Sequence, residues 1–446
     1  MSKGKLPKGW KVLKFKDVTT IIGGGTPSTS IEEYYDGDIP WLSPVDLSGY
    51  KKKYISKGRK NITKLGLQKS SARLLPKNSV LFSSRAPIGY VAIAENEVTT
   101  NQGFKNLLPS PIYDPSFAYY YLKFKKDYIE SQASGTTFKE ISGKKLGEIE
   151  FVLPPLPEQQ RIVARLDAIF GHLDVLKEKL DRIPELLKNF RQQVLTQAVT
   201  GELTREWREG NGYFMEESLN LEEDLEMREI KYGIPESWLW VPFNSIAEVK
   251  SNLVQPNEYL DYPLIAPDNI ESGSGKLINT PLVSDILPKS PKHFFHEGNI
   301  VYSKIRPYLS KLILADFEGL CSADMYPIST SLVTKYLYYF MLSDVFLRYA
   351  TTAGERSVLP KINQKELAVI PISVPPLNEQ EEIVRQVDSL FCLADKIESQ
   401  YRSLKAKIDQ LPQAILAKAF RGELVAQEVK KYVREVEELG MVAEED

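Results

Sequence analysis

Amino-methyl transfer needs an Asn- or Asp-Pro-Pro-aromatic loop to hold the target amine. The two Pro-Pro pairs of this chain, Leu153-Pro154-Pro155-Leu156 and Val374-Pro375-Pro376-Leu377, lack that polar acceptor. Gly23-Gly24-Gly25 is followed by Thr26-Pro27 rather than by a helix, so it reads as a turn and not as a dinucleotide loop. Ser272-Gly273-Ser274-Gly275-Lys276 ends in Leu277, without the hydroxyl that a phosphate loop places on magnesium. Pro267-Asp268 opens like a metal-nuclease motif, but no acidic-x-Lys follows at useful distance. His293 and His296 lack a carboxylate-rich neighbour and read as no metal site, and Cys321 and Cys392 read as core residues. The expectation is a chain with no catalytic group, metal or cofactor of its own.

The remaining chemistry is recognition. Arginine grips guanine through O6 and N7, Asn and Gln suit adenine N6 and N7, and Ser and Thr serve bases or phosphates. Ser83, Ser84 and Arg85 lie just past an apolar run, with Pro87 fixing the loop beyond; Ser303, Lys304 and Arg306 do the same before Pro307 and Tyr308. Asn101, Gln102 and Lys105 form an amide-rich segment between apolar runs. Thr136, Thr137 and Lys139, and farther on Arg356, Ser357 and Lys361, fall in loops just ahead of each Pro-Pro pair. Lys51, Lys52 and Lys53 are candidates to track phosphate, or form a solvated face. These are the candidate polyanion contacts.

The elements that must position them can be read from the rest of the chain. Its 446 residues are enough for two to four domains. Hydrophobic residues make up 42% and charged residues 26%, the balance of a globular protein, and no apolar stretch is long enough to span a membrane. Two cysteines are too few for a disulfide framework, and the opening MSKGKLPKGW has no apolar signal region, so a reducing, cytoplasmic location is expected. The net charge of −2 hides an asymmetry: residues 1–150 hold roughly 24 Lys and Arg against about 14 acids, whereas residues 205–229 hold about nine acids and three bases. Residues 230–373 are near neutral, so polyanion binding there must rest on a local patch.

An internal repeat organises the whole chain. Pro154-Pro155-Leu156-Pro157-Glu158-Gln159 recurs as Pro375-Pro376-Leu377-Asn378-Glu379-Gln380, and Gly201-Glu202-Leu203 as Gly422-Glu423-Leu424, with about 16 of 50 positions identical at one constant offset. Upstream the match is looser but keeps its order, with Leu6-Pro7-Lys8-Gly9-Trp10 against Ile234-Pro235-Glu236-Ser237-Trp238. Each copy begins with short β-branched and aromatic runs, at 79–82 and 89–93 and again at 299–302 and 311–314, followed by helical aromatic segments at 117–129 and 332–349. Each copy then turns helical. Ile162, Val163, Leu166, Ile169, Phe170, Leu173, Leu176 and Leu180 make one stripe, and Ile383, Val384, Val387, Leu390, Phe391, Ala394 and Ile397 the other. A helix of about 40 residues runs some 60 Å, so the natural partner of one stripe is the other. Pro184 and Pro412 are expected to kink or interrupt these helices, and Gly201 and Gly422 to end them.

The reading is an α+β chain: two β-rich globules in tandem repeat, each followed by a long helix, with the two helices paired. The segments are 1–153 and 230–374 for the domains, 154–204 and 375–425 for the helical spacers, 205–229 for an acidic linker and 426–446 for an acidic tail. Two globules held apart by a helical spacer suit a linear target read at two places, and antiparallel helices give the pseudo-dyad that duplex DNA shares.

The paired Pro-Pro-Leu-x-Glu-Gln segments, the helix ends at Gly-Glu-Leu and the opening Leu-Pro-x-Gly-Trp resemble the specificity subunit of type I restriction–modification systems, over essentially the whole chain. The resemblance implies a non-catalytic subunit whose two β-rich globules are target-recognition domains and whose helices pair as an antiparallel coiled coil, reading a bipartite, asymmetric site on double-stranded DNA. It also implies two modification (methyltransferase) subunits using S-adenosylmethionine and two restriction (motor-nuclease) subunits using ATP and magnesium. The alternatives are a specificity subunit of another restriction class and a coiled-coil scaffold for proteins alone.

Overall fold

The structure, a computed structural model, describes residues 6–85, 87–135, 139–211, 226–352 and 360–424. It divides into two compact units, residues 1–180 with 403–446, and residues 181–402. Each unit contains one β-rich globule and a stretch of both long helices.

In the first unit the globule opens and closes on one strand pair. Lys11–Lys14 runs antiparallel to Glu150–Leu153, with Lys11 opposite Leu153. Between them lie a five-stranded sheet, in the order Ile21–Gly23, Phe104–Leu107, Val80–Ser83, Val91–Ala94 and Tyr54–Ile55, and a three-stranded sheet of Lys60–Ile62, Tyr35–Leu42 and Thr99–Thr100. Val80–Ser83 is buried on both faces, which is why it reads as an unbroken apolar run rather than an alternation. The strands start later than the β-branched runs suggest, because turns claim the leading residues. Ser79 Oγ donates to Pro76 O at 2.7 Å, Asn78 has φ +70°, and Gly89 has φ +103°. The aromatic segment folds as two helices, Pro115–Phe124 and Lys126–Ser131, the first capped by Asp114, whose carboxylate accepts from the backbone of Ser116 and Phe117. Tyr119, Tyr120 and Tyr121 are buried in the core.

The second unit repeats the plan. Leu239–Pro242 closes on Pro371–Val374, and two four-stranded sheets lie between: Ala247–Val249, Met325–Thr330, Ile300–Ser303 and Leu312–Leu314; and Leu253–Val254, Lys292–Phe295, Gly319–Cys321 and Leu264–Ile265. Its aromatic segment also breaks in two, Thr334–Leu342 and Asp344–Thr352. The break is at Ser343, whose hydroxyl donates to Phe340 O at 2.7 Å and accepts from Phe346 N at 3.3 Å.

The long helices are Leu156–Thr200 and Leu377–Phe420. Both run on through their prolines, contrary to the expected interruption. Pro184 is exposed, and the carbonyl that loses its donor is that of Leu180, one turn back. Gly201 and Gly422 lie just past the helix ends with φ of +82° and +77°, the left-handed geometry that glycine tolerates. The antiparallel sense is visible inside the second unit. Arg191 bonds Asp395 and Glu398 at 2.7 and 3.1 Å, while farther along the chain Thr204 Oγ1 reaches back to Glu379 at 2.7 Å. In the first unit Lys177 Nζ lies 3.4 Å from Asp409. Of the stripe residues, Leu166, Leu173, Leu180, Val387 and Ala394 are buried, whereas Ile397 is exposed.

One joint, built twice, holds each globule to its helix. Buried Gln159 donates to Pro154 O at 2.8 Å and Ile112 O at 3.1 Å and accepts from Asp114 N at 2.8 Å; Gln380 likewise donates to Pro375 O and accepts from Val333 N, both at 2.9 Å. Two turns on, Asp167 accepts from the Tyr120 hydroxyl and from Lys53, and Asp388 from the Tyr339 hydroxyl and from Lys335. Phe170 stacks on Tyr120 at 5.4 Å, and Phe391 meets Tyr339 edge-on at 5.7 Å. Burial, and then the bonded aspartate, push the phenols of Tyr120 and Tyr339 far above the usual tyrosine range.

Candidate nucleic-acid interface

In the first unit the ends of three segments meet at one rim of the five-stranded sheet. Ser83, the last residue of its strand, pairs with Phe104, the first of the next. Beyond that pair Ser84 N donates to Gly103 O at 2.7 Å, and Ile141 N donates to Ser84 O at 3.0 Å, drawing the loop after the aromatic helices onto the same rim. Arg85 forms a backbone bridge with Glu140 on that loop.

The predicted contact residues on this rim have different occupations. Ser83 and Ser84 are buried: Ser83 Oγ donates to Pro87 O at 2.8 Å and accepts from Tyr90 N at 2.8 Å, and Ser84 Oγ donates to Gly103 O at 3.1 Å. Their hydroxyls hold the loop shape rather than face outward, and Asn101 Oδ1 likewise takes Gly103 N at 2.9 Å. Gln102 is exposed, its amide oxygen accepting from the Thr26 hydroxyl. Lys105 Nζ lies 3.0 Å from Glu140 Oε1 and Arg85 Nη1 3.9 Å from Glu140 Oε2, so one carboxylate serves both cations. Lys139 is exposed beside it. Glu140 was not legible as a partner in the sequence, since nothing in residue spacing brings 85, 105 and 140 together.

The glycine run belongs to this rim for a reason other than a turn. A Cβ on Gly24 would stand 1.9 Å from Asn101 O, and one on Gly25 would stand 2.3 Å from the Ala72 nitrogen. Neither has positive φ; the glycines permit a close approach of backbones.

Lys51, Lys52 and Lys53 do not act together. Lys51 and Lys52 are exposed, without an ion-pair partner among the described residues. Lys53 turns inward, both oxygens of Asp167 at 2.7 Å and the Tyr120 and Tyr54 rings at 5.3 and 5.6 Å. The structure therefore assigns Lys53 to the joint, against the expectation that it tracks phosphate.

The second unit has the same rim. Ser303 pairs with Met325, Lys304 N donates to Asp324 O at 3.0 Å, and Ile362 N donates to Lys304 O at 2.9 Å. Ser303 is buried, its hydroxyl turned to Ile305 O at 3.1 Å. Lys304 Nζ sits 5.1 Å over the Tyr326 ring, and Lys361 Nζ lies 3.4 Å from Asp324 Oδ1. Arg306 and Tyr308 are exposed. Arg306 is held at φ +48° by its N–H bond to Pro360 O at 2.8 Å, an uncommon conformation for arginine that the surrounding loop imposes. Thr136, Thr137, Arg356 and Ser357 lie outside the described residues.

Among the described residues no group of three or more His, Cys, Asp or Glu is placed to hold a metal. His293 is buried, its pKa lowered by burial and then by Lys304; His296 is exposed and pairs with Glu318 at 2.7 Å. Burial pushes the Cys321 thiol well above its usual range, as suits a core residue, whereas Cys392, also expected in a core, is exposed on its long helix. No described helix is long and apolar enough to cross a membrane.

Two copies of one β-rich fold, each locked to a long helix and each ending in a polar rim, define a tandem recognition module. The chain belongs to the family described as the type I restriction modification DNA specificity domain, whose profile matches twice, at residues 7–185 and 235–405. It is 36% identical over 431 residues to the type I restriction enzyme EcoDI specificity subunit of Escherichia coli, covering 96% of this chain and 91% of that one. It is 30% identical over 440 residues to the MjaIX specificity subunit of Methanocaldococcus jannaschii, covering 96% of each. The fold is shared with the HsdS subunit from Thermoanaerobacter tengcongensis, at TM-score 0.60 and 17% identity over 95% of this chain and 99% of that one. A chain from a type I restriction–modification assembly matches at TM-score 0.68 and 17% identity, over 94% of this chain and all of the other.

Proposed function

We propose that this chain is the DNA-specificity subunit of a type I restriction–modification enzyme, reading a bipartite, asymmetric target with one rim per half-site. The observation that carries the reading is the doubled specificity domain, each copy fixed to its helix by the same Gln and Asp joint while the rims differ. A conserved frame with divergent rims is what separate half-sites of different sequence require. Exposed Lys51, Lys52, Lys139 and Arg306 supply phosphate and base contacts, and the buried Ser83, Ser84 and Ser303 shape the loops that present them.

The chain itself contributes recognition and no chemical step. Two modification subunits supply methyl transfer from S-adenosylmethionine, and two restriction subunits supply ATP- and magnesium-dependent motor and nuclease activity. The paired helices set the number of base pairs between half-sites. Tagged chain recovered from its host is expected to bring down a methyltransferase subunit in about twofold excess, and the methylated genomic sites to share one bipartite motif. Recovery without any methyltransferase would remove the assignment.

A further inference from the structure

The rims coincide in hydrogen bonding but not in charge. Ser83 opposite Phe104 corresponds to Ser303 opposite Met325, and the bond from Ile141 N to Ser84 O corresponds to that from Ile362 N to Lys304 O. Glu140 precedes the Ser142 cap of helix Gly143–Gly147 by two residues, and Lys361 precedes the Asn363 cap of helix Gln364–Ala368 by two. Glu140 and Lys361 therefore occupy one structural position with opposite charge. Each is answered from the adjoining strand end by the opposite sign. Lys105, one residue past Phe104, holds Glu140 at 3.0 Å, and Asp324, one residue before Met325, holds Lys361 at 3.4 Å. The ion pair is kept and its polarity reversed.

We propose that this charge-swapped position is a specificity determinant in both half-sites: Glu140 accepts from an exocyclic base amine, with cytosine N4 the best match, and Lys361 donates to guanine O6 and N7. The inference rests on the reading of the chain as a DNA-specificity subunit. Glu140 is a poor phosphate neighbour, since like charges repel, so if it meets DNA it does so at a base edge, where carboxylates pair with cytosine. Both groups are partly exposed, at 39% for Glu140 and 49% for Lys361, and so remain within reach of a ligand. Lys105 and Asp324 are positioning residues: they pre-orient the reading group and compensate its charge before DNA arrives.

The test is enrichment from randomised duplexes by the full chain together with the methyltransferase subunit that co-purifies with it, comparing wild type with E140Q, E140K and K361E. E140Q keeps the size of the side chain, and the melting temperature of each variant is read alongside. Wild type is expected to enrich a bipartite motif. E140Q should relax the base preference at one position of one half-site by roughly 5- to 100-fold, the discrimination of a single good base contact. E140K should convert that position toward guanine, and K361E should change one position in the other half-site only. An unchanged motif in every variant, whichever way the overall affinity moves, would overturn the proposal while leaving the subunit assignment standing. A wild-type complex that enriches no bipartite motif would overturn both.

Discussion

Replacing Gln159 with leucine deletes the most connected side chain of the first joint. Three backbone groups lose their partner: Pro154 O at 2.8 Å, Asp114 N at 2.8 Å and Ile112 O at 3.1 Å. A buried polar group left unpaired costs about 1–3 kcal/mol, and a typical hydrogen bond contributes about 1 kcal/mol net. Ile112 is exposed, so water can take its carbonyl, whereas the bond to Pro154 O is fully enclosed. The expected loss is therefore about 3–5 kcal/mol. Q380L breaks two bonds at 2.9 Å and is expected to lose less, about 2–4 kcal/mol. Q159E is expected to be at least as damaging as Q159L, because it keeps the acceptor for Asp114 N but faces two carbonyl oxygens with a charge. Urea unfolding of the full chain, followed by hydrogen exchange to assign the loss to residues around 112–114 and 154–159, measures this. A Q159L loss below about 1 kcal/mol, or exchange protection unchanged at Asp114 N, would refute the view that this glutamine fastens domain to helix.

The lysine run separates into two behaviours. K51Q and K52Q should each lower the salt slope of DNA binding by up to about one and weaken all sequences alike, whereas K53Q should cost stability through Asp167 and Tyr120; a uniform response of all three in a salt titration contradicts the division. Alkaline titration followed at 295 nm should show Tyr113 and Tyr338, pushed up to about 12 by burial, and the still higher Tyr120, Tyr336 and Tyr339, silent through pH 10–11. Because their folded pKa values are raised, the stability these phenols contribute is fully present below pH 10 and is lost as pH rises through the folded values, so denaturant midpoints should fall above about pH 10. G24A should distort the rim, its Cβ meeting Asn101 O at 1.9 Å, and reduce DNA affinity more than G23A, whose Cβ meets nothing within 4 Å.

The repeat made the architecture legible, because positions identical at one offset had to serve the same purpose in both copies. Gln159, Asp167 and Phe170 recur at that offset as Gln380, Asp388 and Phe391, and all three face the globule. Their partners were not visible. Ile112, Asp114 and Tyr120 sit in a part of the copy where insertions blur the register, and hydrogen bonds to backbone leave no side-chain signature. The four strands marked by apolar runs, Val80–Ser83, Val91–Ala94, Ile300–Ser303 and Leu312–Leu314, were readable to within a residue or two, whereas the shorter strands around them carry no such run. The breaks at Lys125 and Ser343 were not, since helical spacing carries on across both.

The rims were the least legible, and the reason is physical. Residue type marked Ser83 and Ser84 as contacts, but a hydroxyl satisfies a loop backbone as well as it reads a base, and burial shows that these satisfy the loop. Cation type marked Lys53, but Asp167, about three turns into the helix, claims it. Glu140 and Asp324 carry no such mark, because acids taken singly are poor candidates for a polyanion site. Set against Lys105 and Arg85 on one rim and Lys361 on the other, they offset part of the positive charge, so that neither rim is a bare positive patch. Compensation of that kind weakens nonspecific attraction to phosphate while keeping a directional donor or acceptor for the right base. E140Q therefore distinguishes two outcomes that a surface-charge argument merges: a rim with Lys105 and Arg85 left uncompensated should bind nonspecific duplex more tightly and discriminate less, and tighter binding with undiminished discrimination would mean that Glu140 only tunes charge.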